Sequence, residues 1–270
     1  MEIGVLGCGV IGSAIASAHE SFGQKVVRHD VLLGTRLDDL LDCQLIFVCL
    51  PTPQGFDGSC DLTVIREEIA NLIRADYRGV VVMKSTVPPG TGRELCQRAR
   101  FSYVACPEFL REHNAVDDYL SQRAHVIGFI GDLPPEITLC FEPLRSRFIH
   151  VSLEEAELAK YFHNTYNAWR VVFANAFNEL SEAYSADYSK VLNSVVTLTN
   201  IRDDYLRSSV ALRGFGGPCL PKDTEALAYL ARTRGLRSNV WEICLRENYK
   251  WETTLIPGMR SKGAETKAVL

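Results

Sequence analysis

At 270 residues, with 47% hydrophobic and 23% charged side chains, the chain has the balance of a globular protein with one large or two moderate domains. Its formal net charge of −4 gives no electrostatic case for a nucleic-acid or anionic-membrane partner. No apolar run reaches membrane-spanning length, and nine scattered cysteines without C-x-x-C or Cys/His ligand spacing argue for reduced thiols in the cytoplasm, with no disulfide framework and no metal site.

In chain order, the apolar run 1–6 ends in glycines and reads as a strand, and residues 11–22 follow with helical spacing. A second strand is expected at 25–29, ending at Asp30, and further strands at 45–50, 79–84, 101–106 and 124–130. Helical patterns fill some of the gaps, notably 62–74. Such alternation predicts an α/β fold with a Rossmann-type doubly wound sheet covered on both faces. From 153 onward the strand signals fade. Residues 153–184 hold neither glycine nor proline and read as one long central helix of about 45 Å. Shorter helices are expected at 188–198, 225–234 and 239–254, with a loop-like tail from 256. The predicted organisation is a Rossmann domain over 1–152 and an all-helical domain over 153–270.

Three stretches carry chemistry. GCGVIG places Gly7, Gly9 and Gly12 between a strand and a helix, with Val10 and Ile11 opening that helix. The first glycine permits a tight turn, the second lets backbone approach a pyrophosphate, and the third lets helix pack on strand. The helix N-terminus then turns its partial positive charge toward the phosphates. Asp30 ends the next strand, where a carboxylate accepts hydrogen bonds from a ribose diol and repels a 2′-phosphate, which favours NAD over NADP. The alternative is a glycine turn that binds nothing.

On the long helix, Lys160 and Asn164 lie four residues apart on one face, and Asn167, Val171, Asn175 and Asn178 continue the stripe. From spacing alone a solvated polar face is the simpler reading. The functional one has an ammonium and an amide stabilising negative charge on a substrate oxygen. His163 lies off that stripe.

GFGGPCLPKDT frames Cys219 between glycines and prolines, ahead of the helix expected at 225–234, with Asp223 or Thr224 as its N-cap. A helix N-terminus and the nearby Lys222 both favour thiolate over thiol. A thiolate beside a hydride acceptor suggests capture of an aldehyde as a thiohemiacetal, then oxidation to a thioester and hydrolysis to a carboxylate. The alternative is a small buried hydrophobe.

Taken in order, GCGVIG, PTPQGFDGSCDL, KSTVPPGT, CPEFLREHNAVDD, EAELAKYFHNTYNAW and GFGGPCLPKDT resemble the UDP-glucose/GDP-mannose dehydrogenase family, whose members oxidise a nucleotide-sugar alcohol to a uronic acid with two NAD. The resemblance implies Cys219 as nucleophile, Lys160 and Asn164 on the substrate oxygen, Asp223 and Thr86 on water, and Glu108 promoting thioester hydrolysis. It further implies Leu110, Glu112 and Lys222 toward substrate, and Thr52 and Ser85 beside NAD. A solvated loop is the plainer reading of Glu108 and Glu112 outside that motif. A homodimer built on helix 153–184 is expected, with a sugar, sugar nucleotide or nucleoside as substrate.

Family members carry a third domain that grips the nucleotide, and these 270 residues are expected to represent a short form without it. TNIRDDYLRSSVALRGFGG differs in length from the family's sugar-covering loop, leaving Arg202, Tyr205 and Arg213 as candidates there. His113 stands where the family usually has glycine, and GCGVIG lacks its customary tyrosine. A two-electron dehydrogenase of the 3-hydroxyacid type and a non-catalytic NAD-binding subunit are the alternatives.

Overall fold

The computed structural model describes residues 1–209 and 212–251. They form two compact units, Met1–Pro53 with Asp61–Lys160, and Gln54–Cys60 with the described residues from Tyr161 onward.

In the first unit, strands β1 (Glu2–Leu6), β2 (Lys25–His29), β3 (Leu45–Val48), β4 (Val80–Met83), β5 (Ser102–Ala105), β6 (Ala124–Phe129) and β7 (Arg147–Val151) form one sheet in the order β2-β1-β3-β4-β5-β6-β7. β1 to β5 run parallel; β6 is antiparallel to β5, and β7 follows β6. β3 and β4, LIFV and VVVM, are buried throughout, as strands covered on both faces must be. Helices α1 (Val10–Ser21), α2 (Thr63–Arg74), α3 (Thr91–Leu95), α4 (Ala115–Ser121) and α5 (Pro135–Phe141) complete the unit. α2 shows why its segment is helical: Ile65, Ile69 and Leu72 bury one stripe, and Asp61 accepts from the Thr63 backbone N–H at 2.8 Å, turning the chain into the helix. β1 has β2 on one side and β3 on the other. The crossovers therefore diverge at its carboxyl end, where a doubly wound sheet leaves its crevice.

α6 (Leu153–Ala183) starts in the first unit and continues in the second, which also holds α7 (Tyr188–Leu198), α8 (Leu220–Thr233) and α9 (Val240–Asn248). The second unit's core gathers Ala168 and Val172 of α6, Phe215, Ala228 of α8, and Cys244 and Leu245 of α9. Beside its buried apolar residues, α6 also buries amides and leaves several aromatic rings open. Asn164, Asn167, Asn175 and Asn178 are buried, whereas Phe162 is 73% exposed, with Tyr166 and Phe173 also open. The solvated-face reading of the asparagine stripe is therefore corrected.

The predicted strands and the long helix match to within a few residues at their ends. β7 was not expected; its mixed sequence RFIHV lies at the sheet edge, mostly exposed, so it lacks the apolar run of its neighbours. α3, α4 and α5 have only five to seven residues, too short for a periodic pattern. α8 begins at Leu220 rather than 225, because Pro221 falls in the first turn, where a helix loses no N–H bond to proline. Cys219 is thus the N-cap in place of Asp223 or Thr224. α9 ends at Asn248, short of the expected 254; residues 252–254 and the tail from 256 lie outside the described residues.

Candidate functional site

The glycine turn after β1 is built as its sequence demands. Gly7 has φ +89°, and a Cβ on it would lie 2.7 Å from the Cys49 carbonyl oxygen. A Cβ on Gly12 would stand 1.9 Å from the Gly7 carbonyl oxygen, so only glycine lets α1 pack there. At Gly9 a Cβ would meet nothing within 4 Å, which leaves backbone that a ligand can approach. Gly9 caps α1 without a side-chain hydrogen bond, so the first-turn N–H groups remain available to phosphate. Val10 is exposed and Ile11 packs against the core. Asp30 anchors this turn, one oxygen accepting from the Cys8 N–H at 2.7 Å and the other from the Leu32 N–H at 2.8 Å. The cradle fits a dinucleotide.

Past β3, β4 and β5 the same unit presents three short segments. Thr52 is buried after β3. Ser85 follows β4 and donates to the Leu50 carbonyl oxygen at 2.7 Å, with half-buried Thr86 next in the chain. After β5, Glu108 accepts from the Leu110 N–H at 2.6 Å through Oε2 and pairs through Oε1 with Lys160 Nζ at 3.0 Å. Both partners are buried, and Lys160 also lies over the Phe109 ring, 5.6 Å from its centroid. Glu112 is half-buried, and its buried Oε2 has no hydrogen-bond partner among the described residues. Neither glutamate sits on a solvated loop.

In the second unit, Asn164 Nδ2 donates to Asp223 Oδ2 at 2.5 Å, and Lys222 Nζ meets Asp223 Oδ1 at 2.6 Å. Asp223 is only 1% exposed, so its charge depends on these two partners. Burial pulls the Lys222 pKa down, but the Asp223 charge and hydrogen bond outweigh it and hold the ammonium above its usual range. Cys219 caps α8, its carbonyl accepting from the Asp223 N–H at 3.1 Å. Of the nine cysteines it alone is exposed, so it is not the buried hydrophobe of the alternative reading. The structure thus gives Lys160 and Asn164 separate acid partners, Glu108 and Asp223.

Two positions had no signal as site residues in the sequence. Asn248, at the end of α9, accepts from the Phe215 N–H at 2.6 Å and donates to the Phe215 carbonyl at 3.0 Å, so one buried amide pins the GFGG loop. Glu157 is buried one turn before Lys160, where the stretch EAELAK shows only another helix-favouring acid. Of the sugar-loop candidates, Arg213 donates to Glu182 at 2.6 Å and stacks on Trp251, Arg202 pairs with Asp204, and Tyr205 lies beneath Arg170. His163 is exposed and bonds Asn167 at 3.1 Å. No metal-binding cluster occurs among the described residues.

Residues 33–133 match the NAD binding domain of the UDP-glucose/GDP-mannose dehydrogenase family, and residues 154–250 match its central domain. The chain belongs to this family. UDP-glucose 6-dehydrogenase TuaD of Bacillus subtilis is 32% identical over 78% of this chain and 48% of its own length. The chain thus spans about half the length of that relative. A solved UDP-glucose dehydrogenase from Pyrobaculum islandicum is similar at a TM-score of 0.82 and 28% identity, covering 92% of this chain and 68% of that one. A 3-hydroxyisobutyrate dehydrogenase from Mycobacterium tuberculosis shares the fold at a TM-score of 0.73 and 15% identity, covering 92% of each chain. The family model that matches residues 33–133 of the first unit is an NAD binding domain, which makes NAD the cofactor.

Proposed function

We propose that the protein oxidises a primary alcohol of a sugar, nucleotide sugar or nucleoside to a carboxylate, using two NAD and a covalent intermediate on Cys219. One NAD would accept a hydride as the alcohol becomes an aldehyde, and a second NAD, bound after the first leaves as NADH, would accept another as the thiohemiacetal becomes a thioester. The Cys219 sulfur adds to the aldehyde carbon, and water later displaces it from the thioester, restoring the thiol. Lys160 and Asn164 donate to the substrate oxygen as it gains negative charge. Asp223 and Thr86 orient water, and Glu108 takes its proton during hydrolysis. Leu110, Glu112 and Lys222 bind the sugar, while Thr52, Ser85 and Asp30 hold NAD.

The observation that carries this reading is the setting of Cys219. It is the one exposed thiol, at the cap of a 14-residue helix whose first turn buries Asp223 between Lys222 and Asn164. A screen of nucleotide sugars, sugars and nucleosides for NADH formation, with products identified, tests it. The fold shared with the 3-hydroxyisobutyrate enzyme supports a second reading, a two-electron dehydrogenase. Under that reading Cys219→Ser would leave turnover nearly intact.

The protein is further proposed to act as a homodimer. α6 exposes Phe162 and Tyr166, stacked at 6.1 Å, and Phe173 and Phe177, 4.7 Å apart, a face that a second copy would cover. Light scattering showing only monomer at micromolar concentration would count against this. That none of the nine cysteines is in a disulfide fits a reducing compartment such as the cytoplasm, and no helix among the described residues is long and apolar enough to cross a membrane.

A further inference from the structure

We propose that Glu157 is a positioning residue that clamps the Ser85–Gly92 segment to α6, fixing the segment that carries Thr86 relative to Lys160. This rests on the functional reading above for Thr86 and Lys160, but its geometry is independent of that reading. Glu157 is 3% exposed. Its Oε2 accepts from the Gly90 N–H at 2.6 Å and its Oε1 from the Gly92 N–H at 2.7 Å. These amides lie at the start of α3, where helix N–H groups need acceptors. Lys160 stands three residues on along α6, on the same face, and Thr86 lies four residues before Gly90 in the KSTVPPGT stretch. One carboxylate therefore ties together two elements that bear proposed catalytic side chains. Gly92 is suited to the contact, since a Cβ there would come within 2.9 Å of Glu157 Oε1 and 2.5 Å of the Tyr103 ring.

The clamp is sensitive to protonation. Burial pushes the Glu157 carboxyl up to about 7, with the Gly90 and Gly92 amides opposing that shift. The other groups that face it are Glu154 on α6, Arg93 of α3, Cys96 after α3, and Tyr103 of β5. Glu154 raises its pKa and Arg93 lowers it; these two are paired with each other at 2.5 Å. Above pH 7 both carboxylate oxygens accept fully. Below it one becomes a hydroxyl, and one amide contact weakens.

The test uses the full chain with selective 15N-glycine labelling, followed from pH 5.5 to 8.5, alongside NAD titrations and NADH assays of wild type, Glu157→Gln and Glu157→Asp. The expected result is that the Gly90 and Gly92 amide signals titrate together near pH 7 in wild type and not in Glu157→Gln. Glu157→Gln, whose amide nitrogen must face one N–H, should lose about 10- to 100-fold in kcat, with no rise through pH 7. Glu157→Asp should keep the pH dependence at a reduced rate. Glycine signals that do not move in wild type, or a Glu157→Gln enzyme with wild-type kcat and pH profile, would overturn the proposal. Should no alcohol be oxidised by wild type, the functional reading fails separately. NAD affinity then decides the clamp, since Ser85 lies in the same segment: a several-fold loss in Glu157→Gln supports it, and an unchanged affinity overturns it.

Discussion

The two units bury different chemistry. The sheet unit hides apolar strands such as LIFV and VVVM and brings its polar side chains to the carboxyl ends, whereas α6 buries four asparagines beside its apolar residues and displays Phe162, Tyr166, Phe173 and Phe177. A buried sheet can be assembled from one chain's own hydrophobic runs, because helices on both faces cover it. A helix that buries asparagines gains little from burial unless each amide finds a partner. Exposed rings lower its free energy only when another surface covers them. The second unit therefore combines its apolar core with buried polar pairs such as Asn164 with Asp223.

Substitutions can break or sharpen this contrast. The largest stability effects should come from each unit's defining feature. Phe47→Ala empties a fully buried site against His19 and Phe141 and should cost about 3–5 kcal/mol in urea unfolding. Asp223→Ala removes the buried acid that Lys222 and Asn164 both meet, and should cost about 1–3 kcal/mol while abolishing turnover. Phe173→Ala, an equally large truncation on the exposed face, should change monomer stability by less than about 0.5 kcal/mol yet shift sedimentation toward monomer. A Phe173 variant as destabilised as Phe47→Ala, with unchanged association, would erase the contrast.

A smaller effect follows from Glu157. Its folded pKa of about 7 lies above the ordinary carboxylate value, so between about pH 4.5 and 7 the folded state binds the proton that the unfolded state has released. Stability from this group is therefore greatest at acid pH and is lost as pH rises through 7. Thermal melts should show wild type losing ground to Glu157→Gln from pH 5 to pH 8, and a constant difference would contradict this. Smallest of all, Arg207→Ala breaks an exposed pair with Asp203 and should stay within about 0.5 kcal/mol of wild type.

The same contrast governs what could be read from the sequence. β1 to β6 and α6 were legible because continuous apolar runs and a long stretch free of glycine and proline declare themselves locally. β7 was not, because an edge strand needs no apolar run. The glycine turn was legible down to individual positions, since Gly7 and Gly12 each meet a backbone oxygen that excludes any side chain. The polar pairs were not. Lys160 with Glu108, and Asn164 with Asp223, join residues more than fifty positions apart, and no local pattern encodes such a pairing. The start of α8 lies at Leu220 and not at 225 because Pro221, expected to stiffen the turn around Cys219, falls in the first turn of the helix, where proline is tolerated.

Counting NADH against carboxylate for wild type and Cys219→Ser tests the central claim most directly. Two NADH per carboxylate in wild type, and a serine variant that stalls before releasing acid, are the expected results. One NADH per product, with aldehyde or ketone accumulating and the serine variant turning over at the wild-type rate, would contradict the account.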